Sequence, residues 1–230
     1  MPDTEIYLIP GLGFDCRIFR HLDWGAHPVV HLNWIEPEEA ESLTHYARRM
    51  AAGLEGRKSR KIIVGHSFGG ILAREIATLH TVEKVILISS IKSCREQSPA
   101  LRAAKWLRLH RLFSKTIVRR TFPLWAKKHG YESPEEQALF LDMIEKQSDH
   151  YLKWALKTLS NWSAREPAEN TPTIHLHGDS DRTFPFRQIG QPCIMIPGGN
   201  HFMVFNKAGI LNEIIRKEIG PARAEAPPCV

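Results

Sequence analysis

The chain has 230 residues, 43% hydrophobic and 24% charged, which suits one globular domain with a sizeable core and excludes a disordered or fibrous chain. No apolar run approaches the ~20 residues of a membrane-spanning helix. The start, Met1-Pro2-Asp3-Thr4-Glu5, has neither the basic nor the apolar part of a secretory signal, so a cytoplasmic protein is expected. The formal net charge of +6 is unevenly spread: residues 92–128 carry eleven Lys and Arg against the single acid Glu96, a local excess of ten.

Taken in chain order, Ile6-Tyr7-Leu8-Ile9 predicts a strand stopped by Pro10-Gly11, and residues 29–32 predict a second. Over 42–54, Leu43, Tyr46, Ala47, Met50 and Leu54 recur at three- and four-residue spacing, which predicts a helix with Ser42 as N-cap. Lys61-Ile62-Ile63-Val64 is the continuous apolar run of a strand buried on both faces. It ends at Gly65, and a helix is predicted over 68–79. Strands are predicted at 85–88, 173–177 and 193–196, and a closing helix over 207–218. Strands alternating with helices imply a mostly parallel sheet of about six strands with right-handed crossovers.

Residues 91–163 break the alternation. Their pattern is helical throughout, punctuated at Pro99, Pro123, Gly130 and Pro134, and reads as an insertion between two strands. The tail, 221–230, is expected to be disordered. Cys16, Cys94, Cys193 and Cys229 include no C-x-x-C pair and are expected to be free thiols.

Four stretches carry chemistry. Gly65-His66-Ser67-Phe68-Gly69-Gly70 fits G-x-S-x-G between a buried strand and a helix. Small residues flank a turn sharp enough to push the Ser67 hydroxyl out of the sheet edge. The same turn aims the Phe68 N–H at that spot. Pro10-Gly11-Leu12-Gly13-Phe14 follows the first strand and offers the Leu12 N–H as a second oxyanion donor. It lacks the third glycine of a dinucleotide loop and the Lys-Ser/Thr of a P-loop. His177-Gly178-Asp179-Ser180-Asp181 supplies a carboxylate to orient a histidine, with Asp181 favoured and Asp179 its competitor. Pro197-Gly198-Gly199-Asn200-His201-Phe202 places His201 on a glycine loop after the last strand, where a general base is needed.

Together these stretches resemble the α/β-hydrolase superfamily, from Ile6 to about Ile219, and Ser67, Asp181, His201 follow its order. Two features depart from the pattern. Pro10-Gly11 stands where His-Gly is common, and the chain starts at the family's third strand, without the first two. The resemblance implies a core of 1–91 and 166–220 and a helical lid over 92–165. It also implies a serine hydrolase that cleaves an ester with an apolar acyl or alcohol group through an acyl-enzyme. Gly11, His66, Trp106 and Phe202 are the pocket candidates.

No cofactor or metal is expected. His175 and His177 alternate on a strand but lack a third ligand at metal spacing. Trp106, Phe113, Phe122 and Trp125, at helical spacing, suit a core or pocket wall better than a nucleic-acid platform, so nucleic acid is not expected. The expected partner is a small-molecule ester. The basic segment is either a solvated face or a site for an acidic partner such as an acyl carrier protein, a coenzyme A ester or an anionic membrane. Three other functions remain open: a thioesterase or carrier-ester hydrolase, a lyase on the same scaffold, and a ligand-binding protein without turnover.

Overall fold

A computed structural model describes residues 4–163 and 171–221. Within them, six strands form one sheet: β1 (Thr4–Ile9), β2 (Val29–His31), β3 (Arg60–His66), β4 (Lys84–Ile88), β5 (Thr173–Gly178) and β6 (Ile194–Ile196). The order is β2-β1-β3-β4-β5-β6 and every pairing is parallel. The apolar runs of β3 and β4 lie at the centre, and Ile62 to Val64 and Val85 to Ile88 are almost wholly buried. A central parallel strand is covered on both faces, which is why these runs do not alternate.

Helices α1 (Leu43–Met50), α2 (Phe68–Leu79), α7 (Met203–Asn206) and α8 (Ala208–Ile219) complete the core. The Ser42 hydroxyl caps α1 by accepting the His45 N–H. α1 stops at Met50, and the rest of the run predicted to 54 is a 3-10 turn, Ala52–Leu54. Gly53 and Gly56, poor helix formers, interrupt the pattern there.

Between β4 and β5 lie α3 (Pro99–Trp106), α4 (Lys115–Trp125), α5 (Pro134–Glu145) and α6 (Asp149–Asn161). Each begins at a serine whose hydroxyl accepts an N–H from the first turn: Ser98, Ser114, Ser133 and Ser148. Pro99 and Pro134 sit at the first helical turn, where a missing N–H costs nothing. Pro123 lies inside α4, close to its end.

Cys16, Cys94 and Cys193 are unpaired. No helix among the described residues is long and apolar enough to cross a membrane. The 165/166 boundary, Cys229 and the tail from 222 lie outside the described residues.

Candidate active site

Because all strands run the same way, the loops after β1, β3, β5 and β6 meet at one sheet edge. Ser67, between β3 and α2, has φ 52° and ψ −121°, a conformation that costs a non-glycine residue about 1–3 kcal/mol. Its N–H donates to the Ile88 carbonyl at 3.0 Å. The Ser90 hydroxyl donates to its carbonyl at 2.7 Å. Close packing explains the glycines around it. A Cβ on Gly65 would lie 2.5 Å from the Gly69 oxygen, and one on Gly69 would lie 2.3 Å from the Ile9 and Pro10 oxygens. Only glycine lets α2 start this close to β1 and β3.

His201 Nε2 is 2.9 Å from Ser67 Oγ, and His201 Nδ1 is 2.8 Å from Asp181 Oδ2. The other Asp181 oxygen accepts the N–H groups of Thr183 at 2.8 Å and Phe184 at 3.0 Å. Burial pushes the Asp181 carboxyl up, but His201, His177 and the Phe184 N–H outweigh it, so it titrates below the ordinary carboxylate value. Asp179 faces elsewhere. It is exposed, accepts the Gly198 N–H at 2.9 Å and ties the β5 and β6 loops together.

Three buried histidines surround this chain of bonds as neutral donors. His66 Nε2–H donates to the His201 carbonyl at 2.9 Å, and burial, helped by the nearby His201, lowers its pKa to about 3. His175 Nε2–H donates to the Ser90 carbonyl at 3.0 Å, and burial, with His177 beside it, also lowers its pKa to about 3. His177 Nε2–H donates to the Phe184 carbonyl at 2.7 Å and lies 3.5 Å from Asp181 Oδ2. His175 and His177 thus spend their Nε2 atoms on separate carbonyls and do not converge as metal ligands would.

Ser67 and His201 open into a cavity of about 300 Å³. That is the small end of the range for ligand pockets. Leu12, Phe14 and Phe184 line it from the core, and Phe113, Trp125, Phe140, Ile144 and Leu156 from the insertion. His129, bonded through Nδ1 to Thr183 Oγ1 at 3.2 Å, is one of its few polar groups. Phe68 is the first residue of α2, so its N–H has no partner within the helix.

The four pocket candidates lie outside this lining. Trp106 is a correction: it stands at the end of α3, 83% exposed, because the inward position of that helix is taken by Leu101. Gly11 lies against Ser67, where a Cβ would come within 3.1 Å of the serine Cβ. His66 and Phe202 are buried behind the site, with Phe202 stacked on Phe14 at 5.9 Å. Sequence reasoning missed Phe14, His129, Phe140, Ile144 and Phe184. The spacing of Leu139, Phe140, Met143 and Ile144 marks an inward helix face, but not that it faces a cavity.

This fold and this edge cluster define an α/β hydrolase. A profile of the alpha/beta hydrolase family matches residues 6–212, and the chain belongs to that family. No curated protein matches its sequence. Among solved structures it is similar to an esterase from Exiguobacterium antarcticum, with TM-score 0.72, 16% identity, and 95% of this chain and 92% of that one covered. It is also similar to MenH from S. aureus, with TM-score 0.72, 17% identity and 95% of both chains covered. A third is a putative non-heme bromoperoxidase, BpoC, from Mycobacterium tuberculosis H37Rv, with TM-score 0.72, 15% identity, and 96% and 94% covered. At such identities the likeness is one of fold.

Proposed function

We propose that the chain is a serine hydrolase that cleaves a carboxylic ester with an apolar acyl or alcohol group. The observation that carries this reading is the unbroken chain Ser67–His201–Asp181, at 2.9 and 2.8 Å, opening into an apolar cavity. Asp181 accepts the Nδ1–H of His201, which leaves Nε2 as the base. Ser67 Oγ attacks the ester carbonyl carbon while Nε2 takes its proton. The N–H groups of Leu12 and Phe68 hold the oxyanion, and each such donor is worth roughly 3 kcal/mol in the transition state. Collapse expels the alcohol, which takes the proton back from His201. Water then attacks the acyl-enzyme with His201 again as base, and the carboxylic acid leaves.

The helices of 92–165 act as a lid, which is supported by the side chains that α4, α5 and α6 contribute to the cavity. They exclude water and bound the acyl group. The esterase among the structural neighbours agrees with this reading at the level of fold.

The test is turnover of p-nitrophenyl esters from acetyl to dodecanoyl. Wild type is expected to hydrolyse the shorter members best, given the cavity volume, and Ser67→Ala to reduce kcat by about 10⁶-fold. Equal turnover by Ser67→Ala would overturn the nucleophile assignment.

A further inference from the structure

Of the ten large hydrophobic side chains exposed among the described residues, six lie between 106 and 124: Trp106, Leu107, Leu109, Leu112, Ile117 and Leu124. Trp106 and Leu124 are 83% and 84% exposed. Their concentration on one stretch of chain is unlike the single, scattered apolar side chains of an ordinary surface. In α4, Val118, Phe122 and Trp125 turn inward, while Ile117, Arg120 and Leu124, spaced by three and four, share the opposite face. In α3, Leu101 turns inward and Arg102, Lys105 and Trp106 share the outer face.

The charges between these apolar groups are all of one sign. No Asp or Glu occurs from Gln97 to Tyr131. Lys115 and Arg119 share Glu145 on α5. Lys105, Arg108, Arg111, Arg120, Lys127 and Lys128 make no ion pair among the described residues. Uncompensated cations interleaved with exposed leucines, isoleucine and tryptophan match the chemistry of one occupant. An anionic lipid surface offers phosphates at the depth of the cations and acyl chains just below. Tryptophan favours that same boundary. A nucleic acid or an acidic protein surface would reward the cations and leave the aliphatic groups without an apolar acceptor.

We infer that the outer face of α3 and α4, with the turn between them, docks the protein on an anionic membrane surface. The docking is peripheral, since no helix among the described residues can span a bilayer. α4 and the turn before it carry Phe113, Val118 and Trp125 into the cavity on their inner side. Over that stretch the docked face and the cavity wall are opposite sides of one layer. The inference does not depend on the esterase reading, because binding is measured without turnover.

The experiment is co-sedimentation of the full chain with vesicles of phosphatidylcholine alone or mixed with an equal part of phosphatidylglycerol, at low and high salt. Binding is expected only to the mixed vesicles and to weaken with salt. R108Q/R111Q should lower the partition constant about fivefold per charge. L112S/L124S should lower it by about tenfold or more. Thermal melts establish that both variants are folded. No binding to mixed vesicles at low salt would overturn the inference, as would equal binding to phosphatidylcholine alone. Unchanged binding of folded L112S/L124S would also overturn it, and would leave a plain cationic face suited to an acidic protein.

Discussion

Asp181→Asn separates the charge of the proposed triad acid from its shape. Two backbone donors, the N–H groups of Thr183 and Phe184, point at Oδ1. The amide must turn its oxygen to them, because its NH2 would oppose two donors. The NH2 then faces His201 Nδ1, which has to accept. The imidazole proton moves to Nε2, and the ring presents a donor to Ser67 instead of a base. The expected loss in kcat is about 10⁴-fold, or ~5.5 kcal/mol of transition-state stabilisation. The two backbone bonds also change from charge-assisted to neutral, at about 1 kcal/mol each, so the fold should lose ~2 kcal/mol. The assay is kcat on p-nitrophenyl butyrate, with urea melts alongside to show that the variant is folded. Asp179→Asn is the control. Its oxygen can still accept the Gly198 N–H, and it is expected to keep most of the activity. A folded Asp181→Asn enzyme within tenfold of wild type would refute the tautomer argument, and a comparable collapse in Asp179→Asn would refute the choice of acid.

Three further perturbations probe the frame around the site. Gly69→Ala drives a methyl into the Ile9 and Pro10 carbonyl oxygens and should cost ~3 kcal/mol or more; a thermal midpoint within a few degrees of wild type would contradict the close approach. Ile144→Ala removes a buried wall of the cavity, at an expected cost of about 2–5 kcal/mol, and should move the acyl-length optimum to longer chains; an unchanged optimum would show that the acyl group lies elsewhere. His175 takes its proton near pH 6.5 when unfolded but only near 3 when folded, so its contribution is complete above about pH 6.5 and falls as pH drops toward 3. His175 adds about 1.4 kcal/mol per pH unit to the slope, and His175→Gln, which can still donate to the Ser90 carbonyl but cannot titrate, should lower the slope by that amount in urea titrations between pH 6 and 4, leaving the share of His66.

Much of the frame was legible in local pattern. The runs at 61–64 and 85–88 announced central parallel strands because burial on both faces leaves no polar alternation. Gly65-x-Ser67-x-Gly69 announced the turn because backbone contact on both sides tolerates no Cβ. Less visible were the bounds of the insertion helices, though Ser98, Ser114, Ser133 and Ser148 mark every start by capping. The helix predicted to 54 ended early because spacing registers apolar positions and is blind to the cost of Gly53.

Trp106 shows where local pattern stops being informative. An aromatic at helical spacing is apolar whichever way it points, and only the packing of Leu101 decided that it points outward. Sequence by itself determined the chemistry available: a serine held in a tight glycine turn, a histidine and carboxylates on loops after strands, and a cationic helical insertion. Tertiary structure decided which of these groups meet. Asp181 rather than Asp179 reaches His201, and Phe14, His129, Phe140 and Ile144 join residues far away in the chain around one cavity. Contacts across such separations depend on how strands order and helices pack, and no spacing along the chain encodes them.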